Sequence, residues 1–525
     1  MNVGRIIAAA AALAMAGTAL GAPPKDFERR VEAARLGVGV PGLAIAIVEN
    51  DQVTFARGFG VRALGDSDQV DADTIFPTGS TGKAFTVADL GILVDQGRIG
   101  WDDHVTDRLP GFEMYDPWVT REITIRDLLV HRSGLGLGEG DLMFVPRTNL
   151  TRAESVRRLR YLKPATSFRY GFAYDNVLYM VAGQLIESVT GETWEKFTAQ
   201  QVLKPAGMLH STSDEPERFA TADRAYPHAR MDGGFRGVGT QQRLDERDEL
   251  GRNGAPAGGL TVSANDMARW LLIQLHDGLL PDHSGKRLFS EAAHREMWKP
   301  MVLQPVGELP APLKATQPNF NTYALGWDVT DYAGTRIVWH GGAVFGFLTA
   351  VVLIPDRQVG FSIEINCEDG EIIRGLMYEL LDHYLGRPYV DWVARYRAEK
   401  QRRIAAARKA LEARPPKAVA VGPSLAAAGY TGTYTDPWYG NIEIGAVNDR
   451  LTIDFKSTPR MTGTLEHYQY DTFVAHLDDK TIEPMYVTFS LDADGRVDRI
   501  TMKAVSPLAD FSYDYQDLLF RPARK

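Results

Sequence analysis

Cysteine is nearly absent: Cys367 is the only one in 525 residues, so no disulfide forms within the chain. It follows an apolar stretch, residues 359–365, and reads as buried filler, not as a nucleophile. Neither His-Glu-x-x-His nor paired cysteines occur, and the histidines are scattered, so the chain offers no metal constellation. Basic runs of the kind that grip nucleic acid are missing as well. The chain has 58 Lys and Arg against 67 Asp and Glu, a net charge of −9 that points to no DNA, RNA or anionic-lipid partner. No repeat of 20–50 residues and no low-complexity tract is present. The N-terminal hydrophobic run, residues 6–20, is alanine-rich and too short for a good membrane span. With Arg5 before it and Gly21-Ala22-Pro23-Pro24 after it, it reads as a signal peptide over residues 1–22, cleaved after Ala19 or Ala22. The expectation is a periplasmic or secreted protein with no stable span after processing. Export without disulfides requires a core large enough to need no staples, and the length allows two or three domains.

What is present centres on Pro77-Thr78-Gly79-Ser80-Thr81-Gly82-Lys83-Ala84-Phe85. Gly79 permits a tight entry, and residues 84–94 are apolar on most faces, the pattern of a buried helix. Ser80 then sits in the first turn, with Lys83 three residues on and on the same face. An amine kept neutral by burial can take the serine proton, and the open N–H groups of a helix start favour a developing oxyanion. A phosphate loop is excluded. Pro77 stands where its first glycine belongs, and Ala84 where a magnesium-binding Ser or Thr is needed.

Around this helix the chain reads as layers. Residues 26–36 form a charged helix, and 42–48 and 52–60 are strands joined by a hairpin turn at Glu49-Asn50-Asp51. Residues 122–215 read as mainly helical, starting at 123–135 with Thr124 as a cap. Ser263 caps another helix, with Asp266 in nearly the place of a capping-box carboxylate. Strands follow at 336–340, 347–354 and 359–365, then an amphipathic helix at 372–384. Strands at both ends with helices between predict an α/β fold: an antiparallel sheet sandwiched by helices, with an inserted helical lobe. A charged helical spacer, residues 392–414, ends at Pro415-Pro416. From Gly429 on, short alternating strands predict a small antiparallel barrel or sandwich. The expected division is 1–22, 23–390, 391–424 and 425–525.

Two more elements suit a serine–lysine pair. Tyr174 and Asn176, two apart in an extended or looped segment, supply a phenol for proton relay and an amide for a substrate. Trp339-His340-Gly341-Gly342-Ala343 is a strand end whose glycines admit a substrate backbone edge-on, with His340 able to assist proton traffic or steer a carboxylate. In this order the three elements resemble the serine β-lactamase and penicillin-binding-protein superfamily, in particular the branch of class C β-lactamases, D-aminopeptidases, D-Ala-D-Ala carboxypeptidases and related esterases. Leu128-Leu129-Val130-His131-Arg132-Ser133-Gly134-Leu135, Ala257-Gly258-Gly259-Leu260 and Tyr323-Ala324-Leu325-Gly326-Trp327 are similar to its framework stretches. The similarity spans about residues 27–387. The tail, with Tyr430-Thr431-Gly432-Thr433-Tyr434, looks like the lipocalin-like barrel appended to some members, which packs beside the active site and restricts it.

The resemblance implies that Ser80 is acylated, that Lys83 is its partner and Tyr174 the proton relay. It further implies that Asn176, His340, Gly341 and Gly342 contact substrate, and that the N–H groups of Ser80 and Ala343 form the oxyanion hole. It implies no cofactor and no metal. His340 stands where many β-lactamases have lysine, a departure shared with family peptidases. The expected activity is hydrolysis of peptides, D-amino-acid peptides among them, or of esters through a Ser80 acyl-enzyme. The alternatives are a class C-like β-lactamase acting on β-lactams, and a non-hydrolytic penicillin-binding sensor. The subunit number is left open.

Overall fold

The structure, a computed structural model, describes residues 22–247, 250–413 and 421–523. Most of the segment read as a signal peptide and the Pro415-Pro416 break lie outside the described residues. A helix at Phe27–Val38 (α1) leads into strands at Gly42–Glu49 (β1) and Gln52–Gly60 (β2). Asn50 and Asp51 both take positive φ, the turn geometry that matches the twist of a two-residue hairpin. Strand β1 is buried along its whole length because both of its faces are covered. Leu43, Ile45 and Ile47 face one helical layer, while Ala44, Ala46 and Val48 face the other.

The helix at Lys83–Asp95 (α2) is buried from Lys83 through Leu93, as its all-round apolar sequence requires. Helices at Val177–Thr190 (α3) and Ala264–Leu275 (α4) share its layer. Strands follow at Val302–Leu303 (β3), Asn321–Tyr323 (β4), Asp328–Tyr332 (β5), Thr335–Val344 (β6), Phe347–Ile354 (β7) and Val359–Ile365 (β8). The helix at Gly370–Tyr384 (α5) joins α1 on the far face. The eight strands form one antiparallel sheet in the order β2-β1-β8-β7-β6-β5-β4-β3. Both ends of the segment thus meet in one sheet, since β1 pairs with β8. Three edge strands, β3 to β5, extend it beyond the expected five.

Two local expectations differ. Residues 123–135 form only a short 3-10 turn, Asp127–Leu129. The Asp127 carboxylate accepts the Thr124 N–H and O–H at 3.0 and 2.8 Å, and Arg132 at 2.7 Å, and positive φ at His131 and Gly134 prevents a helix from continuing. Ser263 does cap α4, but Asp266 turns away from a capping box to accept the His210 N–H and the Ser211 hydroxyl, each at 2.8 Å.

The charged helix at Trp392–Glu412 (α6) packs on α5 and precedes a closed antiparallel barrel of eight strands, from Gly432–Asp436 to Leu519–Pro522. Its interior is filled by Tyr434, Ile453, Phe473, Val487, Ile500 and Phe520, all nearly inaccessible. The barrel core is continuous with the layer that holds α2.

Candidate active site

The turn that carries Ser80, Gly79–Gly82, is 3-10 and runs directly into α2. Backbone crowding sets its shape. A Cβ on Gly79 would lie 2.5 Å from the Ala343 nitrogen, one on Gly342 would lie 2.0 Å from the Thr78 oxygen, and one on Gly258 would lie 2.6 Å from the Gly79 carbonyl carbon. Three chain segments therefore meet at the serine only because glycine stands at each contact. Thr349 adds a hydroxyl bond to the Thr78 carbonyl at 2.6 Å, fastening β7 to the same turn.

Lys83 is fully buried, and its Nζ donates to Ser80 Oγ at 3.0 Å, to Asn176 Oδ1 at 2.7 Å and to the Ala257 carbonyl at 2.9 Å. Burial lowers its pKa to about 7, against the pull of Asp141 and Asp175, which favour the charged form. Its Nζ also lies 4.8 Å from the centre of the Tyr174 ring and 5.1 Å from that of Tyr179. A neutral amine at bonding distance from a hydroxyl can remove its proton.

The Tyr174 hydroxyl is buried, meets no hydrogen-bond partner among the described residues, and has Ser80 as the group that most favours its ionised form. Burial raises its pKa well above the ordinary value, so it is a protonated donor at neutral pH.

His340 and Asn176 sit differently from expectation. His340 Nε2 meets the Tyr323 hydroxyl at 2.8 Å and Nδ1 meets the Gly341 carbonyl at 2.6 Å, so both ring nitrogens are engaged. Burial, aided by Lys83, lowers its pKa to about 3. The ring is neutral, with each nitrogen already bonded. Asn176 spends its amide internally, accepting from Lys83 and donating from Nδ2 to Asp141 Oδ2 at 2.9 Å. It positions the lysine, with one N–H and one lone pair of the amide left over. Gly341 and Gly342 lie in β6 beside the serine turn, as the strand-edge reading requires, and Ala343 follows against Gly79.

Residues that sequence reasoning passed over complete the site. His131, at positive φ, stacks on Tyr174 with ring centres 4.0 Å apart, and its Nδ1 meets the Asp175 carboxyl at 3.0 Å. The Ser133 hydroxyl donates to the other Asp175 oxygen at 2.6 Å. Burial raises Asp175 to about 8 and Asp141 to about 7, keeping charge low around the lysine. His131 and Ser133 belong to the framework stretch 128–135, which was the available signal. Asp141 had none.

A half-buried serine bonded to a fully buried lysine at the start of a helix, laid against one end of β6, defines a serine hydrolase. The chain belongs to the Beta-lactamase family, which it matches over residues 27–418. Residues 416–522 match a domain of unknown function. The chain is similar to an unguisins hydrolase of Aspergillus violaceofuscus, 28% identical over 477 residues that cover 86% of this chain and 82% of that protein. It is also similar to penicillin-binding protein 4 of Amycolatopsis lactamdurans, 27% identical over 363 residues, 69% of this chain and 89% of that one. Among solved structures, an octameric penicillin-binding protein homologue from Pyrococcus abyssi shares the fold with a TM-score of 0.56 at 20% identity, over 91% of this chain and 98% of that chain.

Proposed function

We propose that the protein is an exported hydrolase that cleaves peptides, D-amino-acid peptides among them, or esters through an acyl-enzyme on Ser80. The observation that carries the reading is the buried Lys83 amine, 3.0 Å from Ser80 Oγ with a pKa near 7. Neutral Lys83 takes the serine proton as Oγ attacks the carbonyl carbon. The N–H groups of Ser80 and Ala343 face the oxyanion, and the Tyr174 hydroxyl passes a proton to the departing amine or alkoxide. Water then releases the acyl group by the reverse path.

The charge around the site supports peptides and esters over β-lactams. Lys83, whose charge is lost near neutrality, acts as a cation on His340, His131, Asp141 and Asp175 alike. A β-lactam brings a carboxylate that a neutral His340 does not balance. The similarity to an unguisins hydrolase agrees with a hydrolytic reading, and the alanine-rich N-terminal run supports export. The similarity to a penicillin-binding protein keeps one second reading, acylation by penicillins with slow release.

A fluorophosphonate probe followed by mass spectrometry is expected to label Ser80, and Ser80→Ala to abolish labelling and turnover. Labelling that persists in Ser80→Ala defeats the assignment. A screen of D-peptides, p-nitrophenyl esters and nitrocefin then ranks the substrates. A nitrocefin burst without turnover would favour the second reading.

A further inference from the structure

The connection between the last two barrel strands, Val497–Ala504 and Leu519–Pro522, does not stay with the barrel. It enters the hydrolase and meets the Gly138–Leu142 segment. The Asp514 carboxylate, fully buried, accepts the Gly140 N–H at 2.7 Å and the Leu142 N–H at 3.0 Å, capping the Asp141–Met143 turn from outside. Phe511 packs edge-on to Tyr174, ring centres 5.9 Å apart. Gly138, at φ +69°, must be glycine here, because a Cβ would lie 2.7 Å from the Phe511 ring and 2.8 Å from its carbonyl oxygen.

Ser512 makes the decisive contact. Its hydroxyl donates to Asp141 Oδ2 at 2.7 Å, the same oxygen that takes the Asn176 amide at 2.9 Å. Asn176 Oδ1 takes Lys83 Nζ at 2.7 Å, and Lys83 reaches Ser80 Oγ at 3.0 Å. An unbroken line of hydrogen bonds therefore runs from the barrel to the nucleophile.

We infer that Ser512 and Asp514 are positioning residues of the hydrolytic site, holding Asp141 in place and, through Asn176, setting Lys83 against Ser80. This rests on the reading of Ser80 and Lys83 given above. A buried carboxylate with few donors is a loose anchor, and one of the two side-chain donors on Asp141 comes from the barrel. The hydrolase fold without its barrel has the chemical groups but not their geometry.

The groups facing Asp141 are Lys83, Tyr174, Asp510 and Asp514, together with the Asn176 and Ser512 donors. Removing the Ser512 hydroxyl leaves Asp141 protonated to higher pH. With less negative charge beside it, Lys83 then loses its own proton at lower pH. The test uses the full chain and a p-nitrophenyl ester. Fluorophosphonate labelling of wild-type Ser80 comes first; its absence is a failure of the proposed function, not of this inference. Ser512→Ala is expected to lower kcat by about three- to tenfold at little-changed KM and to move the acid limb of kcat/KM to lower pH. Ser512→Thr restores both, and Asp514→Asn lowers kcat. Wild-type kcat and acid limb in both Ser512→Ala and Asp514→Asn overturn the inference. So does a loss of kcat in Ser512→Ala with an unmoved limb and no rescue by threonine, since that marks a merely structural loop.

Discussion

Gly79 and Ala343 touch so closely that a Cβ added to Gly79 would fall 2.5 Å from the Ala343 nitrogen. The contact joins the serine turn to the strand edge across most of the hydrolase sequence, and it places the two proposed oxyanion donors side by side. Gly79 also takes φ +52°, where an L side chain is strained. Gly79→Ala is expected to cost about 2 kcal/mol of stability or more and to lower kcat about a hundredfold. Thermal melting and ester turnover measure the two effects separately.

Lys83 is expected to set the acid side of the pH profile. Burial brings its pKa from 10.5 to about 7, so the amine is uncharged and able to accept a proton above that pH and charged below it. The kcat/KM of the wild type therefore rises as pH increases through about 7. Lys83→Met, with no base, and Lys83→Arg, with a guanidinium that stays charged, are both expected to lose about 10²- to 10⁴-fold across the whole range. Steady-state rates from pH 5 to 9 check this.

The neutrality of His340 is expected to govern preference between substrates. With Nε2 on Tyr323 and Nδ1 on the Gly341 carbonyl, the ring presents no charge. His340→Lys adds one, and a charge-assisted bond to a substrate carboxylate is worth a factor of about ten or more. The ratio of nitrocefin turnover to ester turnover is expected to rise by about that factor, and competition assays on one preparation read it directly.

Glu364 lies in β8, buried in the sheet, with one carboxyl oxygen that has no partner among the described residues. Burial raises its pKa from 4.5 to about 8. The folded protein thus keeps a proton that the unfolded chain has lost, and the Glu364 contribution to stability falls as pH rises through that window. The expected slope is about 1.4 kcal/mol per pH unit. Glu364→Gln removes it, so the variant gains on the wild type from pH 5 to pH 8. Urea unfolding at the two pH values measures the difference.

Much of the fold was legible in the chain. The apolar runs 42–48 and 359–365 read as strands of a sheet sandwiched by helices, and the all-round apolar helix after Lys83 predicts its burial. The edge strands β3 to β5 were not legible, because two to five residues carry too little alternation to stand out from a loop. The 3-10 turn at Asp127–Leu129 replaced an expected helix because Asp127 has tertiary partners in Arg132 and Arg169, which periodicity does not register. At the site, Ser80 and Lys83 stand out through their spacing taken together with Pro77, Gly79 and the apolar helix that follows. His340 and Asn176 lie near them, but the partners Tyr323 and Asp141 come from segments that the motifs do not include.

By itself the sequence determined which groups are local: a hydroxyl and an amine three residues apart, glycines where backbones must touch, and an apolar helix that pulls the amine out of water. Tertiary structure alone decided the electrostatics, because the groups that tune Lys83 arrive from distant segments. Ser512 lies 371 residues from Asp141 in the chain. Hydrophobic period and turn chemistry act over a few residues, whereas burial and hydrogen-bond partnership exist only once the sheet and the barrel have brought those segments together.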